Sequence, residues 1–94
     1  MRVKWLRIAR ANLEAEAGYI ARDNPAAAAR TVTAIHRSVE NLRRFPAIGR
    51  PGRVMGTREL VVPGTSYHIP YRVRNDVVEV LRVFHAARRW PKEF

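Results

Sequence analysis

The sequence predicts an α+β fold in which a helical hairpin packs on a small mixed, mainly antiparallel sheet, in the order β-α-α-β-β-β. Three observations carry this. Apolar residues recur at helical spacing from about Leu6 to Arg44 and alternate after Arg58. The triplet Asp23-Asn24-Pro25 breaks the helical stretch at a point that leaves only a very short link. Turn signals at Pro63-Gly64 and Asn75-Asp76 divide the second half into three strands.

Taken in order, Arg2–Trp5 alternates polar and apolar and predicts a short strand with Val3 and Trp5 on one face. Ala9, Leu13, Ala17 and Ile20 then form a helical stripe, which Gly18 weakens without ending. Asn24 is placed to cap the second helix and Pro25 suits its first position, where no amide donor is needed. That helix is expected over Pro25–Arg44, with Ala28, Val32, Ile35, Val39 and Leu42 inward and Arg43 and Arg44 at the negative end of its dipole. Phe45–Gly56, rich in proline and glycine, reads as a loop pinned to the core by Phe45 and Ile48.

Three strands are expected over Arg58–Val62, Ser66–Arg74 and Val77–Phe84. The middle one places Tyr67, Ile69, Tyr71 and Val73 on one face. The last is apolar on both faces, with Val78, Val80 and Phe84 on one side and Val77, Leu81 and Val83 on the other, so it should be central. The first strand can lie parallel to it after the helical crossover. Residues 1–94 thus form one domain, with 85–94 a basic aromatic tail in which Pro91 prevents a long helix.

Eighteen basic and eight acidic residues give a net charge of +10, and sixteen of the basic residues are arginine. Each half of the chain carries nine basic and four acidic residues, so the positive field belongs to the folded body. Such a field favours polyanions or an acidic protein. With no cysteine there is no disulfide, thiol nucleophile or zinc–cysteine site, and three histidines do not make a structural metal site on their own. The longest apolar run is Ala26–Ala29, which excludes a membrane-spanning helix and leaves no apolar core for a secretory signal, so a soluble, cytoplasmic protein is expected.

Walker, GxGxxG, nucleophile-elbow and HExxH motifs are absent, so neither cofactor nor metal is expected. Glu14 and Glu16 diverge on their helix and read as solvated charge. On the middle strand, parity sets His68, Pro70, Arg72 and Arg74 opposite the tyrosines. His68, Arg72, His85 and Arg88 or Arg89 could gather on or beside one sheet face. They would grip a phosphate and offer an imidazole as acid or base. The plainer reading is a basic surface with one histidine bonded to backbone. Trp5 fits the core, whereas Trp90 could stack on a base or, more simply, pack the tail onto the sheet.

The segments Arg58-Glu59-Leu60-Val61-Val62, Tyr67-His68-Ile69-Pro70-Tyr71-Arg72-Val73 and Val78–Arg89, the last ending Phe-His-Ala-Ala-Arg-Arg before Trp90-Pro91, resemble the RelE/ParE toxins of bacterial type II toxin–antitoxin systems. The resemblance covers nearly the whole chain and implies two possible activities. RelE-like members cleave mRNA in the ribosomal A site, and ParE-like members poison DNA gyrase. Nuclease members usually place an arginine at the position of His68, and add lysines, a Glu–His pair or a C-terminal tyrosine. Here only Lys4 and Lys92 are present, and the ending His85–Pro91 is closer to ParE-like members.

The resemblance therefore implies a growth-inhibiting, plasmid-stabilising toxin directed at gyrase. A ribosome-dependent mRNA interferase is the alternative, and a non-toxic basic nucleic-acid-binding adaptor a third. No catalytic residue is firm; a nuclease would draw on Glu59, His68, Arg72 and His85. Target contact falls to Arg58, Arg72, Arg74, His85, Arg88, Arg89 and Trp90. The expected partners are an acidic, partly disordered antitoxin with a DNA-binding domain, and gyrase or the ribosome, with no membrane.

Overall fold

Chain entry into the helical layer is set by a short strand. In the computed structural model, which describes residues 1–94, β1 (Arg2–Trp5) leads through Leu6 into α1 (Arg7–Ala21), and α2 (Pro25–Glu40) returns against it. Asn24 caps α2 as expected: its Oδ1 accepts the Ala27 N–H at 3.0 Å, with Pro25 in the first turn. The helix stops at Glu40, short of the expected Arg44, and Asn41–Arg43 form one 3-10 turn. Tightening the last turn keeps Leu42 buried while releasing the chain toward the loop.

The sheet runs β1-β5-β4-β3-β2, built from β2 (Arg50–Pro51), β3 (Arg58–Val61), β4 (Tyr67–Arg74) and β5 (Val77–Val80). β1 is parallel to β5 and every other pair is antiparallel. The hairpin turn at Asn75-Asp76 has both residues at positive φ, 52° and 60°, as a type I′ turn requires. At Pro63-Gly64, Gly64 takes φ 76° and the Thr65 N–H reaches the Val62 carbonyl at 3.3 Å, a type II turn. Ile35, Val39 and Leu42 above, and Ile69, Tyr71, Val78 and Val80 below, form the core between the layers. Trp5 is only half-buried at its margin, tilted against His36 at 5.3 Å.

The expected strand Val77–Phe84 is two strands, β5 and β6 (Phe84–His85), both paired to β4. Tyr71 faces Val80 and His68 faces Phe84. Between these points β4 has only Ile69 and Pro70, while its partner has Leu81, Arg82 and Val83, so one extra residue bulges. Pro70 is the cause. It has no N–H to exchange, and the Leu81 N–H bonds its carbonyl at 2.9 Å. The Val83 N–H finds its acceptor in α1, on Asn12 Oδ1 at 3.1 Å.

The bulge reverses side-chain parity. Val78, Val80 and Val83 enter the core, whereas Phe84 turns away from the helices toward Trp90. Simple alternation had set Phe84 beside Val78 and Val80 and Val83 opposite them, and the extra residue overturns both placements.

The loop reading of Phe45–Gly56 also needs correction. It contains β2, and its anchors are not Phe45 and Ile48, which are 54% and 58% exposed. Buried Tyr71 holds it instead: the hydroxyl donates to the Pro46 carbonyl at 2.7 Å and accepts the Gly49 N–H at 2.9 Å. A Cβ on Gly49 would lie 2.6 Å from Tyr71 Cε1, so only glycine fits.

Candidate functional site

The loop so fixed delivers arginines to the sheet face that the helices leave open. Register puts Glu59 and Pro70, Val61 and His68, and Arg72 and Glu79 on that face. Glu59 is 1% exposed. One carboxylate oxygen accepts Arg50 Nη2 at 3.1 Å, and the other accepts the Arg53 backbone N–H at 2.7 Å with Arg53 Nε at 3.4 Å. Arg50 stands opposite Glu59 because β2 pairs with β3 there. A buried carboxylate with both oxygens engaged is what burial of a charge requires.

Arg50 Nη2 also lies 3.3 Å from His68 Nδ1. A guanidinium can only donate, so Nδ1 accepts and the neutral ring carries its proton on Nε2. Burial, followed by the charges of Arg50 and Arg53, holds the His68 pKa below the usual imidazole value. Trp90 closes this end of the face. The Arg53 guanidinium stacks over its ring at 3.9 Å, Phe84 meets it edge-on at 5.0 Å, and His68 lies 6.3 Å away.

A second polar group lies farther along. Arg72 Nε donates to Glu79 at 2.7 Å, and Arg74 approaches the same oxygen at 4.0 Å. The Arg72 hydrogen bond is the main reason the Glu79 carboxyl sits below its ordinary pKa.

The expected cluster therefore divides. His68 and Arg72 share the open face, but Arg72 is committed to Glu79. The bulge sends His85 the other way, edge-on to Tyr67 at 5.6 Å, with Nδ1 accepting the Ala87 N–H. Arg58 donates to the Gly49 and Ala47 carbonyls and braces the loop. Arg88 lies over the Phe84 ring at 5.1 Å, and Arg89 is exposed with no ion pair. Glu16 accepts the Tyr67 hydroxyl at 2.9 Å rather than standing free in solvent.

Arg50 and Arg53, central to this face, escaped sequence reasoning. They flank Pro51-Gly52, Arg50 in a two-residue strand too short to show alternation and Arg53 just beyond it, and only their surplus of charge could have pointed to them. Chemically, the face presents guanidinium groups, an aromatic ring and one neutral imidazole with an Nε2–H to donate. No group of three or more histidines and carboxylates converges as metal ligands. No helix is long and apolar enough to cross a membrane.

Known proteins share this architecture. The family described as the ParE toxin of type II toxin–antitoxin system, parDE, matches residues 3–90. Y4kP of Sinorhizobium fredii, a protein provisionally named a toxin, is 46% identical over 91 residues, spanning 97% of this chain and 94% of its own. The chromosomal ParDE system of P. aeruginosa contains a chain that superposes with a TM-score of 0.83 at 30% identity, covering 90% of this chain and 95% of that one. A chain of the RelBE2 toxin–antitoxin complex of Mycobacterium tuberculosis gives 0.65 at 28% identity, with 89% and 95% covered. With the strand order, the helical hairpin and the match along nearly its whole length, this chain belongs to the ParE toxins of type II toxin–antitoxin systems, within the RelE/ParE superfamily.

Proposed function

We propose that the chain inhibits growth by poisoning DNA gyrase, and that an acidic, partly disordered antitoxin neutralises it. The observation that supports gyrase over RNA cleavage is the state of the carboxylate and histidines. Cleaving RNA at its 2′-hydroxyl needs a base free to take a proton. Here Glu59 is buried with both oxygens bonded, His68 Nδ1 is occupied by Arg50, and His85 faces the other side. The higher TM-score with the ParDE chain than with the RelBE2 chain favours the same reading. Target contact then falls to Arg88, Arg89 and Trp90, residue types that dominate interfaces.

An acidic chain that folds as it binds matches the +10 charge of this small body. The apolar groove between α1 and α2, lined by Trp5, Leu13, Ala17 and Val32, and the free edge of β1 offer it helix-in-groove and strand-addition docking.

One observation favours the second reading, ribosome-dependent mRNA cleavage: His68 is held neutral among arginines, the state a general base requires. Two assays on the purified chain separate the readings. With gyrase and supercoiled plasmid, cleaved DNA is expected to accumulate. With translating ribosomes, the mRNA is expected to stay intact. Ribosome-dependent cuts that vanish in His68→Ala, with the fold retained, would replace gyrase by the ribosome. His85→Ala is expected to leave both fold and gyrase poisoning near wild type.

A further inference from the structure

Two groups of arginines flank the second half of the sheet. Arg50, Arg53, Arg72 and Arg74 spend their charge on Glu59 and Glu79 across the open sheet face. Arg82, Arg88 and Arg89 have no carboxylate partner at all, yet they line one cleft of about 390 Å³ beside α1. No acidic side chain contributes to its wall. Arg82 comes from the bulge and is partly buried, which pushes its pKa below the usual guanidinium value with burial as the cause. Its only hydrogen bond is to the neighbouring Leu81 carbonyl.

A second, independent observation concerns Trp90, which lines the same cleft. The Trp90 indole N–H is buried and has no hydrogen-bond acceptor. A buried donor without an acceptor is costly, and native proteins rarely leave one so. Asn12 also lines the cleft, and its Oδ1 is already taken by the Val83 N–H, so its amide hydrogens are what it has left to offer. Every unspent polar group of the cleft is therefore a donor or a cation. The side chains that line the cleft bring an excess of donors and positive charge, and the ligand that complements them is an anion.

We infer that the Arg82–Arg88–Arg89–Trp90 cleft is a phosphate-binding site, filled by the phosphoryl group of a nucleotide or of a nucleic-acid backbone. Three guanidinium groups exceed what one singly charged anion can balance. A phosphate monoester carries up to two negative charges and consecutive backbone phosphodiesters one each, and their oxygens accept paired N–H bonds from guanidinium forks. Phe84 and Trp90 supply the apolar wall against which a sugar or base can rest. The inference goes beyond the gyrase reading and does not depend on it, since a chain could poison gyrase through protein contacts alone.

The chain has two tryptophans, which makes the test direct. The ¹⁵N-labelled full chain is titrated at constant ionic strength with inorganic phosphate, with a dinucleotide containing one phosphodiester, and with glutarate. The Trp90 indole N–H signal is expected to move saturably with a phosphate probe while that of Trp5 stays in place. Arg82→Gln, and separately Arg88→Gln with Arg89→Gln, should weaken the response about tenfold or more, as loss of a charge-assisted bond implies. Arg30→Gln, on the exposed surface of α2, should not. Tighter response to the dinucleotide than to inorganic phosphate identifies a nucleic-acid backbone as the source, and the reverse identifies a free phosphate. A Trp90 signal that never moves, that moves only in step with Trp5, or that responds to glutarate as strongly as to phosphate overturns the proposal. So does a response that survives both arginine variants when their spectra show an intact fold.

Discussion

On the helix side of the sheet, Ile35, Val39 and Leu42 close over Ile69, Val78 and Val80, and every one of these is at most 1% exposed. On the other side the cover is a buried glutamate, two arginines from a loop, and a tryptophan from the tail. Only the first is a close-packed apolar layer, whose energy comes from area removed from water. The second is held by charge-assisted bonds whose cationic partners stay half in solvent, where water and salt compete with them. Rigidity and adaptability therefore lie on opposite sides of the sheet. The helix side fixes the fold, and the open side keeps groups that can exchange an internal partner for an external one.

Three substitutions test that contrast. Ile69→Ala opens a cavity at a fully buried position on the helix side and should cost about 2–5 kcal/mol, read as a fall in the urea midpoint. A loss below about 1 kcal/mol would mean that the helical layer can collapse onto the sheet, and the contrast would weaken. Glu59→Gln keeps the shape of the open-face centre and removes its charge. The expected loss is smaller, about 1–3 kcal/mol, because Arg50 and Arg53 can turn to water. A loss as large as that of Ile69→Ala would make the open face a second core.

The smallest effect is expected from Tyr67→Phe, about 1 kcal/mol near neutral pH for the lost bond to Glu16. Its value lies in the pH profile. Burial, then Glu16, pushes the Tyr67 pKa from 10.0 up to about 12. A raised pKa favours the protonated phenol in the folded state. The stabilisation is complete below the unfolded value and is lost as pH climbs from about 10 toward about 12. Stability of the unaltered chain should therefore fall in that window, and Tyr67→Phe should flatten part of the fall. Tyr71, also raised by burial, supplies the remainder. Identical alkaline slopes for the two proteins would show that Tyr67 is not held as the structure has it.

Features that depend on neighbours along the chain are legible in the sequence. Asn24 and Pro25 start a helix because a cap needs only an acceptor three residues from its donor. Asn75-Asp76 makes its turn because those residue types tolerate positive φ. The stripe through Ile35, Val39 and Leu42 and the alternation of Tyr67, Ile69 and Tyr71 placed the core, because period alone says which face is apolar. The tertiary structure decided what depends on pairing across the sheet. Pro70 is visible in the sequence, but that it forces a bulge depends on its missing N–H facing a partner strand. That one extra residue then sends Phe84 and His85 to faces opposite those alternation assigns, and it undoes the expected cluster of histidines. Arg50 and Arg53 reach Glu59 for a similar reason. A phenol on β4 and a glycine in a distant loop hold the backbone that carries them, and no local pattern encodes a contact between two segments that far apart.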